Sequence, residues 1–80
     1  MAKSVYTDAQ GSLVAILVAA RKESGLRQAD LAERVGKDQS YISNIERGQR
    51  RVDLVEFRAL ASAMNVDPVV LFKRWIEQVS

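Results

Sequence analysis

The chain has no cysteine and no histidine. Their absence excludes a disulfide framework, a thiolate or imidazole metal site, and the usual nucleophile–base pairs of covalent catalysis. Its four glycines never gather into a phosphate-cradling loop, and no paired carboxylates stand in an evident pocket. No enzymatic activity, metal or cofactor is therefore expected. The longest uninterrupted apolar run, Leu13–Ala20, has eight residues, far below the roughly 20 that span a bilayer. No signal peptide is visible, and no alternating pattern is long enough for a strand. Without repeats or low-complexity tracts, the expectation is an unstapled, cytoplasmic, all-α domain.

Eighty residues make one small domain, residues 1–80, with no room for a second core. The hydrophobic share of 48% suffices for a helical core, and 28% charged residues suit a solvated surface. Net charge is only +2, but it is unevenly placed. Residues 21–51 hold eight Lys/Arg against five Asp/Glu, whereas residues 52–80 hold three against four. The excess is densest at Arg47, Arg50 and Arg51.

Five short helices with tight connections are predicted. Thr7-Asp8-Ala9-Gln10 fits a capping box opening the first helix, which leaves residues 1–7 as an N-terminal arm. Leu13, Ile16, Leu17 and Ala20 follow as its core stripe, and Gly25 closes it. A second helix from about Gln28 to Val35 buries Leu31, Ala32 and Val35, and Gly36 follows where a positive φ is needed. Asp38 caps a third helix that ends at Gly48. Asp53-x-x-Glu56 opens a fourth, whose core stripe is Leu54, Phe57, Leu60, Ala61 and Met64. Asn65 suits a left-handed exit, and Asp67-Pro68 starts a fifth helix over 68–80.

The third helix carries an unusual surface. Tyr41, Ile42 and Ile45 share one face, while Gln39, Ser40, Ser43, Asn44 and Arg47 occupy a continuous arc of about 140° on the other. A merely solvated face would be filled with Lys and Glu, which are better helix formers. Amides present a donor beside an acceptor and can bond adenine in a bidentate way; serine adapts to either base edge, and arginine suits guanine or phosphate. The second and third helices, separated by Gly36-Lys37-Asp38, must cross steeply, and Ala32 supplies the small residue such a crossing needs.

From Gln28 to Gly48, "QADLAERVGKDQSYISNIERG" resembles the helix-turn-helix of the phage-repressor-like (XRE, or Cro/cI-type) DNA-binding domains, and "LASAMNVDP" resembles that family's fourth helix and its exit. The likeness covers roughly residues 13–72. It implies a five-helix, lambda-repressor-like domain with the third helix in the major groove of double-stranded DNA. Gln39 and Ser40 become the first candidates for base edges, and Ser43 and Asn44 the next. Gln28 resembles the family's phosphate-clamping glutamine, and Arg47, Arg50 and Arg51 would flank it as phosphate contacts. Many relatives carry a hydroxyl residue just before that glutamine; Arg27 cannot cap in that way but adds a phosphate contact. Arg21 and Glu46 match positions that tend to pair internally, tying the first helix to the third.

Tyr41 is expected to pack with its hydroxyl at the rim. Val14 and Val18 on the first helix, and Phe72, Trp75, Ile76 and Val79 on the fifth, exceed what one core needs. Either the two excesses bury each other, or the fifth helix makes a two-fold dimer interface. The dimer is favoured, because one reading head covers too few base pairs for useful specificity. The expected function is a homodimeric, sequence-specific transcriptional regulator on a palindromic operator. The alternative is a protein-interaction module, such as an antitoxin or adaptor, with a protein partner and DNA secondary. No small-molecule ligand and no membrane are expected, since the chain leaves no room for an inducer domain.

Overall fold

Local side chains start and stop each helix. The computed structural model describes residues 5–79, which form α1 (Val5–Glu23), α2 (Gln28–Arg34), α3 (Gln39–Glu46), α4 (Leu54–Ala63) and α5 (Pro68–Val79), with no strand among the described residues. Asp38 Oδ1 accepts from the Tyr41 N–H at 3.2 Å and caps α3. Asp53 and Glu56 form a reciprocal capping box on α4: Asp53 Oδ1 accepts from the Glu56 N–H at 2.7 Å, and Glu56 Oε1 from the Asp53 N–H at 3.0 Å. Asp67 Oδ1 accepts from the Val69 N–H at 2.9 Å above Pro68. At the helix exits the chain turns left-handed. Gly36 (φ 72°) lies between α2 and α3, and Gly48 (φ 74°) follows α3. Their left-handed angles, rather than any crowding, explain glycine at both positions.

Two boundaries and one burial differ from expectation. The first helix begins at Val5, above Thr7, because nothing from Val5 to Gln10 interrupts helical propagation. Residues 1–4 of the expected arm, and the Thr7 and Asp8 side chains of its capping box, lie outside the described residues. The second helix stops at Arg34, with Val35 as its half-buried cap. Leu54 is 73% exposed: as the first residue of α4 it projects past the neighbouring helices, while Phe57, Leu60, Ala61 and Met64 are buried.

The core joins α1, α2, α3 and α4 through Ile16, Leu17, Leu31, Ile42, Ile45 and Leu60. At the α2–α3 crossing Ala32 is wholly buried, where a larger side chain would force the helices apart. The C-terminal carbonyls of α4 are closed from elsewhere in the chain: Arg34 Nη1 donates to Ala63 O at 2.8 Å, and the Ser24 hydroxyl to Met64 O at 3.1 Å. Helix α5 folds back on α1, with Leu71 wholly buried. Trp75, expected between two copies, is half-buried within the chain and donates from Nε1 to Ala9 O at 2.8 Å. Its indole N–H needs an acceptor, and α1 supplies one. No helix of the described residues is long and apolar enough to cross a membrane.

Leu71→Ala should cost about 2–5 kcal/mol of unfolding free energy in urea denaturation, the usual range for emptying a closed core site.

Candidate nucleic-acid interface

The outward face of α3 is built on its cap. Asp38 accepts from the Ser40 hydroxyl at 2.7 Å as well as from the Tyr41 N–H, and those two bonds hold its carboxyl below the usual range. Gln39 and Ser40 are exposed at the N-terminus of the helix, and Ser43 and Asn44 lie half-buried one turn further on. Arg47 closes the row and donates from Nη2 to Asn44 Oδ1 at 2.7 Å, so the two side chains run as a pair along the surface.

Behind this face lies the Arg21–Glu46 pair. Arg21 Nε donates to Glu46 Oε2 at 2.6 Å, and Nη2 to Glu46 Oε1 at 3.0 Å; both side chains are about one-tenth exposed. Arg21 Nη1 also donates to Leu26 O at 2.8 Å. Burial pushes the Glu46 carboxyl up, but hydrogen bonds from Arg21 and then Gln28 outweigh it and leave the carboxyl below its ordinary value. The hydrogen bond to Glu46 raises Arg21 in turn. Gln28 Nε2 donates to Glu46 Oε1 at 2.9 Å, and Gln39 Nε2 donates to Gln28 Oε1 at 3.2 Å. Gln28, expected at a phosphate, thus has both ends of its amide bonded inside the domain.

The basic side chains divide by what already holds them. An open cleft between α1 and the loop after α3 gathers Arg47, Arg50 and Arg51 with Gln10 and Gln49. Within it Arg50 is clamped: Nη1 and Nη2 donate to Glu56 Oε1 and Oε2 at 3.1 and 2.7 Å, and the guanidinium lies 4.7 Å from the Tyr41 ring centre. A phosphate contact from Arg50 must compete with that carboxylate. The Arg50 hydrogen bond, with the Asp53 N–H behind it, holds the Glu56 carboxyl at about 2. Arg27 forks onto Asp30 at 3.0 Å through both Nε and Nη2, yet its side chain is 82% exposed. Asp30 also accepts from the Arg27 N–H at 2.9 Å, so the missing hydroxyl cap of α2 is replaced from the other side of the box.

An apolar face lies on α4 and α5. Val69, Phe72 and Ile76 follow at i, i+3, i+7 on α5 and are 73%, 39% and 41% exposed. Leu54 borders the same groove, whose floor is Leu13, Val52 and Phe57. Phe72 meets Phe57 edge-on at 6.1 Å and Trp75 at 5.6 Å. Val79 is half-buried at the end of the helix. Four features escaped the sequence reading: the Glu56 clamp, the Gln28–Glu46 bond, and the exposure of Leu54 and of Val69. No spacing announces the first two; the period of α5 could have found Val69. Among the described residues no group of His, Cys, Asp or Glu could hold a metal ion.

The helix-turn-helix family model matches residues 17–71, more than half of the chain. The chain belongs to the helix-turn-helix family, in its XRE type. This XRE-type domain is 39% identical over 51 residues to the uncharacterized HTH-type transcriptional regulator y4dJ of Sinorhizobium fredii, a match that spans 64% of the chain and 66% of the relative's own length. An XRE-family like protein from Pseudomonas syringae superposes with a TM-score of 0.87 at 30% identity, over 91% of this chain and 89% of that one. The restriction-modification controller protein C.AhdI from Aeromonas hydrophila gives 0.76 at 38% identity, over 88% and 100%. The controller protein C.Esp1396I, as a tetramer in complex with its natural 35 base-pair operator, gives 0.80 at 28% identity, over 89% and 93%. The family is one of DNA-binding transcriptional regulators, not of enzymes.

The Glu56 clamp sets a pH dependence. Its carboxyl is lowered on folding, so the linked stability is present in full above the ordinary carboxylate value and is lost as pH falls toward 2. Glu56→Gln should be less stable than wild type at pH 7, and urea denaturation should show the difference closing as the pH is lowered toward 2.

Proposed function

We propose that this XRE-type domain is a sequence-specific regulator of transcription that binds a two-fold symmetric operator as a homodimer. The observation that carries the reading is the face of α3. It is neutral, hydrogen-bonding and short-chained at Gln39, Ser40, Ser43 and Asn44, in a chain that is otherwise densely charged, and it borders an arginine-lined cleft. Base edges in the major groove are neutral arrays of donors and acceptors that such side chains can match at close approach. Arg47 and Arg51 are placed in this reading as the chief phosphate contacts, with Arg27 on the far side of the turn. Arg50 joins them only by releasing Glu56, and Gln28 acts through its partners. Solved relatives give further support, since C.Esp1396I is a tetramer on its operator.

The homodimer would be made through Val69, Phe72 and Ile76 of α5 with Leu54 of α4. Val79 lies at the margin, and Trp75 beneath supports the face from inside the chain. Two-fold symmetry then places the two copies of α3 about one helical turn of DNA apart, or a small multiple of it. A large apolar face left open to water costs solubility, and a self-complementary patch closes on a second copy.

Footprinting on the region upstream of the protein's own coding sequence tests the operator directly. There, Gln39→Ala should lose about 1–3 kcal/mol of discrimination at one base pair of each half-site. Equal weakening at every sequence would remove Gln39 from base reading. Arg51→Ala should weaken all sequences and flatten the log–log salt dependence by about one unit. Ile76→Glu should shift the protein to monomer in sedimentation at micromolar concentration while its helical circular dichroism stays intact. A wild-type protein that is monomeric there would assign the apolar face to a different protein partner.

A further inference from the structure

In the free domain the guanidinium of Arg50 is already held as a phosphate would hold it. Glu56 Oε1 and Oε2 accept from Nη1 and Nη2 at 3.1 and 2.7 Å, and Nη1 donates also to Arg51 O at 2.9 Å. A phosphodiester offers a guanidinium the same pair of anionic oxygens, so carboxylate and phosphate compete for one fork. The carboxylate is fixed from behind. Its Oε1 accepts from the Asp53 N–H at 3.0 Å, while the Glu56 N–H donates to Asp53 Oδ1 at 2.7 Å. Glutamine would close that capping box equally well. The cap of α4 therefore calls for an acceptor at this position, but not for a charge aimed at Arg50.

Arg50 lines the open cleft with Arg47 and Arg51, just past the end of α3. Resting on the reading of that cleft as the side that meets the DNA backbone, we infer that Glu56 is an internal stand-in for a DNA phosphate, and that it lowers the affinity of the domain for every duplex by occupying Arg50. A phosphate that takes the fork breaks an existing one and leaves a bare carboxylate beside its own negative charge. Both effects oppose the exchange. Tyr41 keeps the exchange local. Its ring centre lies 4.7 Å from the Arg50 guanidinium and 5.5 Å from Lys37 Nζ, so Arg50 can turn between anions without leaving the ring. The Glu56 carboxyl, held at about 2, stays ionised throughout the neutral range. One phosphate contact is thereby withheld from operator and unrelated DNA alike.

This role separates from that of a clamp that merely braces the loop. If the fork held the loop in its DNA-binding shape, breaking it would lower stability and affinity together. A competitor gives opposite signs: without the carboxylate the domain is less stable and binds DNA more tightly. Glu56→Gln keeps an acceptor for the Asp53 N–H while removing the charge that holds Arg50.

The experiment measures binding of the full chain, across a range of salt, to a duplex selected by the wild-type protein from a randomised library and to an unrelated one. Glu56→Gln should bind both about three- to tenfold more tightly at physiological salt, the range of a partly exposed forked ion pair. Its log–log salt dependence should steepen by about one unit, while urea denaturation of the same preparation shows lower stability. Glu56→Ala, which leaves Asp53 to cap α4, should bind more tightly in the same way and serves if the glutamine variant fails to fold. Arg50→Met separates competition for the arginine from the simple loss of a negative charge. In that background Glu56→Gln should change affinity by less than about twofold, with the salt slope unmoved. An affinity that is unchanged or lower in Glu56→Gln overturns the inference and leaves the clamp a brace. An equal gain in the Arg50→Met background overturns it too, and assigns the gain to net charge alone. A wild-type protein that retains no duplex overturns the DNA-facing reading of the cleft and the inference with it, and that failure is visible before any variant is made.

Discussion

Three donors converge on the carboxylate of Glu46, and the helix-turn-helix is held to the rest of the domain there. Arg21 comes from the last turns of α1, Gln28 from the first residue of α2, and Glu46 itself ends α3. Apolar packing fills the space between these helices, but packing alone tolerates small slides and rotations. A forked arginine–carboxylate bond does not, since both the distance and the plane of the guanidinium must be met. Such a pair gains little stability over well-packed apolar residues, because burying the two charges costs much of what their attraction returns. Its contribution is orientation. With every partner forced to present a donor, the carboxylate dictates how the amides around it must lie.

The same economy of position separates the surfaces of the domain. The outward face of α3 is kept neutral by short polar side chains, and the basic cleft beside it has its middle arginine, Arg50, tied to Glu56 and laid over Tyr41. Tyr41 is consequently half-buried under a cation, and burial raises its hydroxyl pKa. Among the described residues the large exposed apolar side chains lie on α5 and the first turn of α4, away from α3. The packed core, the neutral face of α3 and the exposed apolar face thus use largely different side chains. Trp75 and Phe57 are where the division blurs, since both support the exposed Phe72 from within the core.

Much of this domain was legible residue by residue. The caps at Asp38, Asp53 and Asp67, the left-handed exits at Gly36, Gly48 and Asn65, and the small Ala32 at the crossing all stand where local chemistry puts them. The polar arc of α3 was legible for the same reason, because helical period alone decides which side chains share a face. Leu54 shows the limit of that rule: its period is right for the core, yet at the first position of α4 it stays 73% exposed. Trp75 shows the converse, a residue of the amphipathic excess that its own chain half covers.

The sequence by itself determined the elements, most of their ends and the neutral face of α3, since each depends on interactions across three or four residues. Only the tertiary structure decided which distant side chains meet. Arg21 and Glu46 are 25 residues apart, Gln28 and Glu46 are 18, and Gln28 and Gln39 are 11, so no helical period relates their amides and carboxylate. Arg50 reaches Glu56 across a loop. Such pairings arise from the angle at which helices cross, and that angle is set by the shape of the whole core rather than by any one stretch of chain.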